Sequence, residues 1–240
     1  MDSSDLAQQR LTVALDFPSA ALALAFVDRL DGTCRWLKIG MELYYAAGAP
    51  LVHTLRERGF EIFLDLKLHD IPHTVAGAVR SVTETGASLL TIHAGGGAAM
   101  IHAAAEAAKA PGAPHLLAVT VLTSMDAAEL VGVGVSATPA EQVLRLGRLV
   151  QTASADTMGL VCSSEEVALL RTQLGPSVRL VVPGIRPAGA AVGDQRRVAT
   201  PASAIAAGAS MLVVGRPITQ AADPAAAAQS ILDEIARATV

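Results

Sequence analysis

Eight short apolar runs alternate with stretches of helical periodicity along this chain of 240 residues. The runs are Leu11 to Leu15, Trp36 to Ile39, Ile62 to Leu66, Leu89 to Ile92, Leu116 to Leu122, Met158 to Val161, Leu180 to Val182 and Met211 to Val214. Alternation of strands with helices implies a parallel sheet. Eight repeats favour a closed (β/α)8 barrel, the TIM barrel, over the alternative of an open doubly wound sheet.

Several of the intervening segments have clear helix boundaries. Ala20 to Leu30 follows Ser19, Ala49 to Arg58 ends before Gly59, and Thr74 to Thr85 ends before Gly86. Serine is favoured before the first turn of a helix and glycine just after the last. A chain of this length is typical of one α/β barrel, and no linker or low-complexity segment divides it. The sequence therefore predicts a single domain over residues 1–240.

Composition and charge exclude several classes of protein. The formal net charge of -4 provides no overall basic field of the kind that non-specific nucleic-acid binding needs. Cys34 and Cys162 lie far apart without metal-ligand spacing, which favours a reduced cytosolic interior. The acidic N-terminus argues against a signal peptide, and the apolar runs are too short or too interrupted to span a membrane. We expect a cytoplasmic protein with no nucleic-acid or membrane partner.

Charged residues lie at the end of the third apolar run, where a buried strand should avoid them. Asp65 and Lys67 would share one face of a strand, and Asp70 would follow in a loop that Pro72 restricts. A lone Asp-x-Lys pair is often only a surface ion pair. Other predicted strands also end in polar residues, however, namely Asp16, Lys38, His93, Thr123, Ser124, Arg186 and Arg216. Active sites of barrels lie at these strand ends, so the sequence predicts one there.

Lys38 is flanked by the bulky apolar residues Leu37 and Ile39. A buried ammonium needs a partner, and Asp65 on the neighbouring strand is the natural candidate. The result would be an alternating array of Lys38, Asp65, Lys67 and Asp70, or else a structural ion pair that closes the barrel mouth. A Schiff-base lysine is disfavoured because flanking carboxylates keep an ammonium protonated.

Glycine and arginine follow the seventh and eighth runs, in Pro183-Gly184-Ile185-Arg186 and Gly215-Arg216-Pro217. These two turns are the usual phosphate site of a barrel, and they offer backbone N–H groups and bidentate guanidinium contacts. They predict a phosphorylated substrate, with simple turn chemistry as the alternative. The polar segment from Ala188 to Thr200 fits either a lid over the phosphate or a long surface loop.

Four histidines raise the possibility of a metal site: His69, His73, His93 and His102. They form no compact ligand set with carboxylates, and the lysines beside Asp65 would repel a divalent cation. No metal site is expected.

Residues 65–72, which read Asp-Leu-Lys-Leu-His-Asp-Ile-Pro, resemble the Asp-x-Lys-x-x-Asp signature of the orotidine 5'-phosphate decarboxylases in its bacterial form. The resemblance continues through Leu15-Asp16, Lys38-Ile39-Gly40, residues 182–187, Gly193-Asp194-Gln195 and residues 214–218. The signature alone also occurs in related phosphosugar decarboxylases and epimerase-like barrels. The phosphate motifs favour the first family.

The resemblance implies decarboxylation of orotidine 5'-monophosphate to uridine 5'-monophosphate in pyrimidine biosynthesis, without a cofactor. Lys67 would stabilise and protonate the carbanion at C6, with Asp65 and Lys38 beside it. Asp70, Ile71 and Thr74 would serve the active site of the neighbouring subunit in a homodimer.

The remaining substrate contacts are also implied by the resemblance. Asp16 and Lys38 would contact the ribose hydroxyls, and Thr123 and Ser124 the pyrimidine. The residues expected at the phosphate side are Pro183, Arg186, Gln195, Gly215 and Arg216. Two alternatives remain open: a metal-dependent phosphosugar lyase or epimerase on the same barrel, and a regulatory domain that binds the nucleotide without turnover.

Overall fold

A computed structural model of the chain describes residues 3–187 and 199–239. Within these residues, eight parallel strands close into a barrel in chain order, because β8 pairs with β1. The strands are β1 Leu11–Leu15, β2 Trp36–Gly40, β3 Glu61–Leu68, β4 Leu89–His93, β5 His115–Val119, β6 Gly159–Val161, β7 Leu180–Val182 and β8 Met211–Val214. The predicted (β/α)8 barrel is confirmed, and the open-sheet alternative is wrong.

Helices connect successive strands and pack their apolar residues on the outside of the barrel. They are α1 Ser3–Arg10, α2 Ala20–Asp28, α3 Met41–Glu57, α4 Pro72–Thr83, α5 Gly97–Ala107, α6 Ala127–Gly132, α7 Pro139–Ser154, α8 Val167–Leu174, α9 Pro201–Ala206, α10 Arg216–Thr219 and α11 Pro224–Ala238. Short 3-10 turns cover Ala94–Gly96 and Ser164–Glu166. In the part of the chain that the structure describes, no helix has both the length and the apolarity that a membrane crossing requires.

A small apolar cluster fills the barrel interior, separate from the larger core beneath the helices. It consists of Ala14, Trp36, Phe63, Leu89, Leu117, Val181, Met211 and Val213. Since side chains alternate along a strand, the residue two positions further on also faces inward. Asp16, Lys38 and Asp65 each lie two positions after a member of this cluster. The three charged side chains therefore lie next to the apolar cluster, toward the C-terminal end of the barrel.

One strand boundary differs from the prediction by more than two residues. β5 ends at Val119 and not at Leu122, because its neighbour β6 is short and its last paired residue, Val161, faces Val119. Met41–Glu57 consists of two helical segments that meet at Gly48, whose φ of 64° and ψ of -163° are not helical. The helix predicted to begin at Ala49 is the second of these segments.

Candidate active site

Four charged side chains form a charge network across the C-terminal ends of β1, β2 and β3. Lys38 Nζ lies 3.5 Å from Asp16 Oδ1 and 3.5 Å from Asp65 Oδ2. Lys67 Nζ lies 2.8 Å from Asp65 Oδ1. The predicted pairing of Lys38 with Asp65 is therefore present, and Asp16 extends it by one more charge.

Asp65 stands at the centre of the charge network, and its side chain is only 16% exposed. Burial by itself raises the pKa of this carboxyl, but the ammonium groups of Lys38 and Lys67 and the hydrogen bonds from Lys67 and Thr91 more than offset that effect. The pKa of Asp65 consequently lies below its ordinary value. An ionised carboxylate is thus held next to the Lys67 ammonium at neutral pH.

Lys67 does not continue β3 as a regular strand. Leu64 pairs with Leu90 and Leu68 pairs with Ile92, so four steps along β3 correspond to two along β4. Lys67 itself has a φ of 50°, in the left-handed region that side chains other than glycine seldom adopt. The predicted proximity of Asp65 and Lys67 is confirmed, but it arises at a β-bulge and not from simple alternation.

Thr91, on β4, is a residue of this site that the sequence prediction missed. Its hydroxyl accepts a hydrogen bond from Lys67 N at 2.9 Å and donates one to Asp65 Oδ1 at 3.0 Å. The available signal was its position two residues before His93, which places both side chains on the same face of the predicted strand. Nothing in the sequence indicates which atoms the Thr91 hydroxyl contacts.

A cavity of about 240 Å³ lies beside Lys67. Its polar lining residues are Lys38, Asp65, Lys67, Thr123 and Ser124, and its other side is formed by apolar residues that include Phe63, Val121, Leu122 and Val161. Thr123 and Ser124 reach this cavity from the loop after β5. The cavity can hold a flat ring with one edge against the charges and one face against apolar side chains.

A second cavity, of about 500 Å³, continues from the first. The two share Lys38, Asp65, Pro183 and Val213, and the second also includes Asp16, Gly184, Arg186, Gly215 and Arg216. Arg186 is 9% exposed, and both burial and the neighbouring Arg216 charge lower its pKa. Two guanidinium groups close together suit an anionic group at this end of the site.

Arg186 N donates a hydrogen bond to Ala199 O at 2.9 Å. The predicted lid spans Ala188 to Thr200, of which residues 188–198 lie outside the described residues, and so does the predicted phosphate ligand Gln195. Gly193 and Asp194, which carried part of the resemblance, fall in the same range.

Asp70 and Ile71 lie in the loop after β3, Thr74 lies in the first turn of α4, and all three are exposed. Asp70 Oδ1 accepts a hydrogen bond from Ile71 N at 2.6 Å, and Ile71 is 65% exposed. Within residues 3–187 and 199–239, the ion pairs of the site do not include Asp70. The chain by itself therefore brings together three of the four residues of the predicted array.

The histidines of the site lie in contact with one another. The His69 and His93 rings stack with their centroids 5.3 Å apart, and burial together with the charges of His69 and Lys67 lowers the pKa of His93. Over the described ranges, no group of three or more His, Cys, Asp or Glu side chains is arranged to hold a metal ion.

Comparison with known proteins gives a consistent result. The family model described as "Orotidine 5'-phosphate decarboxylase / HUMPS family" matches residues 9–231. A Halorhodospira halophila protein named orotidine 5'-phosphate decarboxylase is 55% identical over 95% of this chain and 97% of its own length. A Vibrio campbellii protein of the same name is 50% identical over 95% of this chain and 98% of its own length.

A solved structure supports the same assignment. The crystal structure of orotidine 5'-phosphate decarboxylase from Lactobacillus acidophilus has a TM-score of 0.83 and 38% sequence identity, covering 95% of this chain and 99% of that chain. Sequence and fold agree over almost the whole length, and the chain belongs to the orotidine 5'-phosphate decarboxylase / HUMPS family.

Proposed function

We propose that this protein catalyses the decarboxylation of orotidine 5'-monophosphate to uridine 5'-monophosphate. The observation that carries the proposal is the Lys67 ammonium, which lies 2.8 Å from the buried Asp65 carboxylate in a cavity that continues to Arg186 and Arg216. The names of the relatives at 50% to 55% identity support the same reaction.

In the proposed reaction, Lys67 acts on the carbon that loses carbon dioxide. The bond from C6 to the carboxylate breaks, its electron pair stays on C6 in the plane of the ring, and no conjugated group can delocalise it. A fixed ammonium stabilises this localised charge in a site that excludes water. The same ammonium then transfers a proton from Nζ to C6. The amine left at Lys67 takes up a proton from solvent before the next turnover, and the bound carboxylate leaves as carbon dioxide. The cycle thus balances without an added redox or acyl-carrying group, so we propose that no cofactor takes part.

The two cavities supply the rest of the substrate contacts. We assign Thr123 and Ser124 to the pyrimidine, Asp16 and Lys38 to the ribose hydroxyls, and Pro183, Arg186, Gly215, Arg216 and Gln195 to the phosphate side. Binding energy from the distant phosphate can then be used to hold C6 against Lys67 in the transition state. The order of side chains along the two cavities, from Thr123 through Lys38 to Arg216, is consistent with a nucleotide lying along them.

We further propose that two subunits form a homodimer and that Asp70, Ile71 and Thr74 complete the site of the neighbouring subunit. The exposed apolar residues Met41, Tyr45 and Ile71 follow the C-terminal ends of the adjacent strands β2 and β3. Large exposed apolar side chains near a charged loop are typical of a protein interface. A twofold interface would use these residues from both subunits.

Location and domain structure follow from simpler observations. Cys34 and Cys162 are both buried, and neither forms a disulfide within the described residues, which is consistent with the reducing cytoplasm that we propose for this protein. We also propose that residues 1–240 form one domain, because the first and last strands of the barrel pair with each other.

The proposal is tested by following the loss of orotate absorbance in chelator-treated protein. We expect turnover that chelation does not change, and a decrease of about 10³-fold or more in Lys67→Ala, because both charge stabilisation and proton transfer are removed. Lys109→Ala is the matched control, since the exposed Lys109 lies just after α5 and pairs with Glu106, which is not part of the charge network.

Two results would contradict the proposal. Binding of uridine 5'-monophosphate without any turnover of the carboxylated nucleotide would indicate a regulatory domain. Turnover of a ribulose or gulonate phosphate that requires a divalent ion would indicate the related lyase or epimerase chemistry.

A further inference from the structure

Thr91 occupies a position that the proposed reaction does not yet explain. It lies on β4, faces the barrel interior and is completely buried. Its hydroxyl contacts two different parts of the same strand, the backbone N–H of Lys67 and the carboxylate of Asp65. The neighbouring inward residue on the same strand, Leu89, belongs to the apolar cluster, so the hydroxyl of Thr91 is a polar group above an apolar side chain.

The hydrogen bonding at Thr91 has only one possible direction. The Lys67 N–H can only donate, so the Thr91 oxygen accepts from it. The single hydroxyl proton is then left for Asp65 Oδ1, which as an ionised carboxylate can only accept. One side chain therefore fixes both the backbone of Lys67 and the carboxylate that contacts its ammonium.

The backbone that Thr91 fixes is strained. Lys67 has a φ of 50°, and it lies where the pairing of β3 with β4 shifts between Leu64 and Leu68. Such a conformation persists only where its surroundings hold it, and it is frequent at functional sites. Regular pairing would place Lys67 opposite His93, whereas the bulge allows its ammonium to lie 2.8 Å from Asp65 Oδ1.

We infer that Thr91 is a positioning residue, whose hydroxyl holds the bulge at Lys67 and the Asp65 carboxylate so that the ammonium points at the reacting carbon. The inference rests on the proposed function, because it assigns Thr91 a role in that reaction. The charged and titratable groups that face Asp65 are Lys38 from β2, Lys67 from β3 and His93 from β4. Thr91 also contacts Asp65, but it is uncharged and it contacts the Lys67 backbone as well.

The test compares Thr91→Val, which keeps the shape and removes the hydroxyl, with Thr91→Ser, which keeps the hydroxyl. A small misplacement of a catalytic group lowers the rate strongly, so we expect kcat to decrease by about 30-fold in Thr91→Val while KM changes by less than about threefold. Thr91→Ser should retain kcat within about threefold of the wild type. Should Thr91→Val fail to fold, Thr91→Ala provides the same comparison with Thr91→Ser.

A matched control is available on β1. Thr12 is likewise a fully buried threonine that faces the barrel interior, but its hydroxyl has no hydrogen-bond partner within the described residues. Thr12→Val should therefore leave kcat unchanged. A loss of activity specific to Thr91→Val would then reflect the hydrogen bonds of Thr91 and not the general sensitivity of the barrel interior.

A binding measurement separates positioning from a merely structural role. An analogue of uridine 5'-monophosphate that carries an ionised hydroxyl at C6 has a negative charge beside the carbon on which Lys67 is proposed to act. Uridine 5'-monophosphate itself has no charge at that position. Thr91→Val should weaken binding of the charged analogue by about 30-fold and that of uridine 5'-monophosphate by less than about threefold. Equal losses for the two ligands, or a kcat within threefold of the wild type, would overturn the inference. Absence of decarboxylation in the wild type would instead overturn the proposed function.

Discussion

Two glycines beside the charge network occupy positions where a side chain would contact the charged groups. A Cβ at Gly40 would lie 3.2 Å from Lys38 Nζ and 3.6 Å from Asp16 Oδ1. A Cβ at Gly215 would lie 3.5 Å from Asp16 Oδ2. Gly40 faces Asp65 in the barrel register. The absence of a side chain at these positions leaves room for a substrate next to Asp16 and Lys38.

Gly40→Ala tests how closely the position of Lys38 is constrained. Gly40 has a φ of -84°, so alanine adds a steric contact without backbone strain. The added methyl group should displace the Lys38 ammonium by a few tenths of an ångström and lower kcat/KM by about tenfold, mainly through KM. Steady-state kinetics measures the effect.

Gly132→Ala is the control, because a Cβ there would meet no atom within 4 Å. We expect kcat/KM of Gly132→Ala to equal that of the wild type. If kcat/KM of Gly40→Ala were also unchanged, Lys38 could move without loss of substrate binding.

At the scale of elements, the two ends of the barrel have different roles. The N-terminal end of β3 carries Glu61, whose carboxylate lies 2.6 Å from Arg56 Nη1 at the end of α3 and accepts a hydrogen bond from Ser88 before β4. Arg35, just before β2, lies 3.6 Å from the same carboxylate. Glu61 thus joins a helix and the entrances of three strands, and residues at this end of a barrel contribute to stability more than to catalysis.

Glu61→Gln should lower the free energy of unfolding by about 1–2 kcal/mol at neutral pH while leaving kcat and KM within about twofold of the wild type. Burial alone raises the pKa of Glu61, but the Ser88 hydrogen bond and the Arg56 charge more than offset it, so the pKa is lowered. The stabilisation is therefore complete above the ordinary glutamate pKa and is lost as the pH falls through the lowered folded-state value.

Denaturant unfolding at a series of pH values measures this difference. The curves of unfolding free energy against pH for wild type and Glu61→Gln should converge at acidic pH. A constant difference at all pH values would show that the substitution acts through packing and not through the charge.

The elements also explain which parts of the fold and site the sequence could predict. The β1, β7 and β8 runs were predicted with their observed bounds because continuous apolar residues between helices reveal buried strands directly. The β3 bulge could not be predicted, since a pattern of period two contains no information about the register of the neighbouring strand. Thr91 was missed for the same reason, because its importance depends on which atoms of β3 it faces.

At the scale of the whole molecule, the barrel gathers groups that are far apart in sequence but leaves one predicted catalytic residue outside. Asp16, Lys38, Asp65 and Lys67 meet through adjacent strands of one subunit. Asp70 is exposed on the loop before α4, close in sequence to Lys67 but outside its ion pairs in the described part of the subunit. This separation is consistent with a site that two subunits share.

Mixing inactive variants tests the shared site. In a hybrid dimer of Lys67→Ala and Asp70→Ala, one site would contain Lys67 from one subunit and Asp70 from the other, whereas the second site would lack both. Random pairing of equal amounts makes half of the dimers hybrids, so about one quarter of wild-type activity per subunit should return after joint refolding.

Lys67→Ala mixed with Asp65→Ala is the control for this experiment. Asp65 contacts Lys67 within one subunit at 2.8 Å, so no hybrid of these two variants contains an intact pair and no activity should return. Recovery in the first mixture alone assigns Asp70 to the opposite site and Asp65 to its own. Failure of both mixtures, with refolded wild type fully active, would place all three residues in a single subunit and would contradict the shared site.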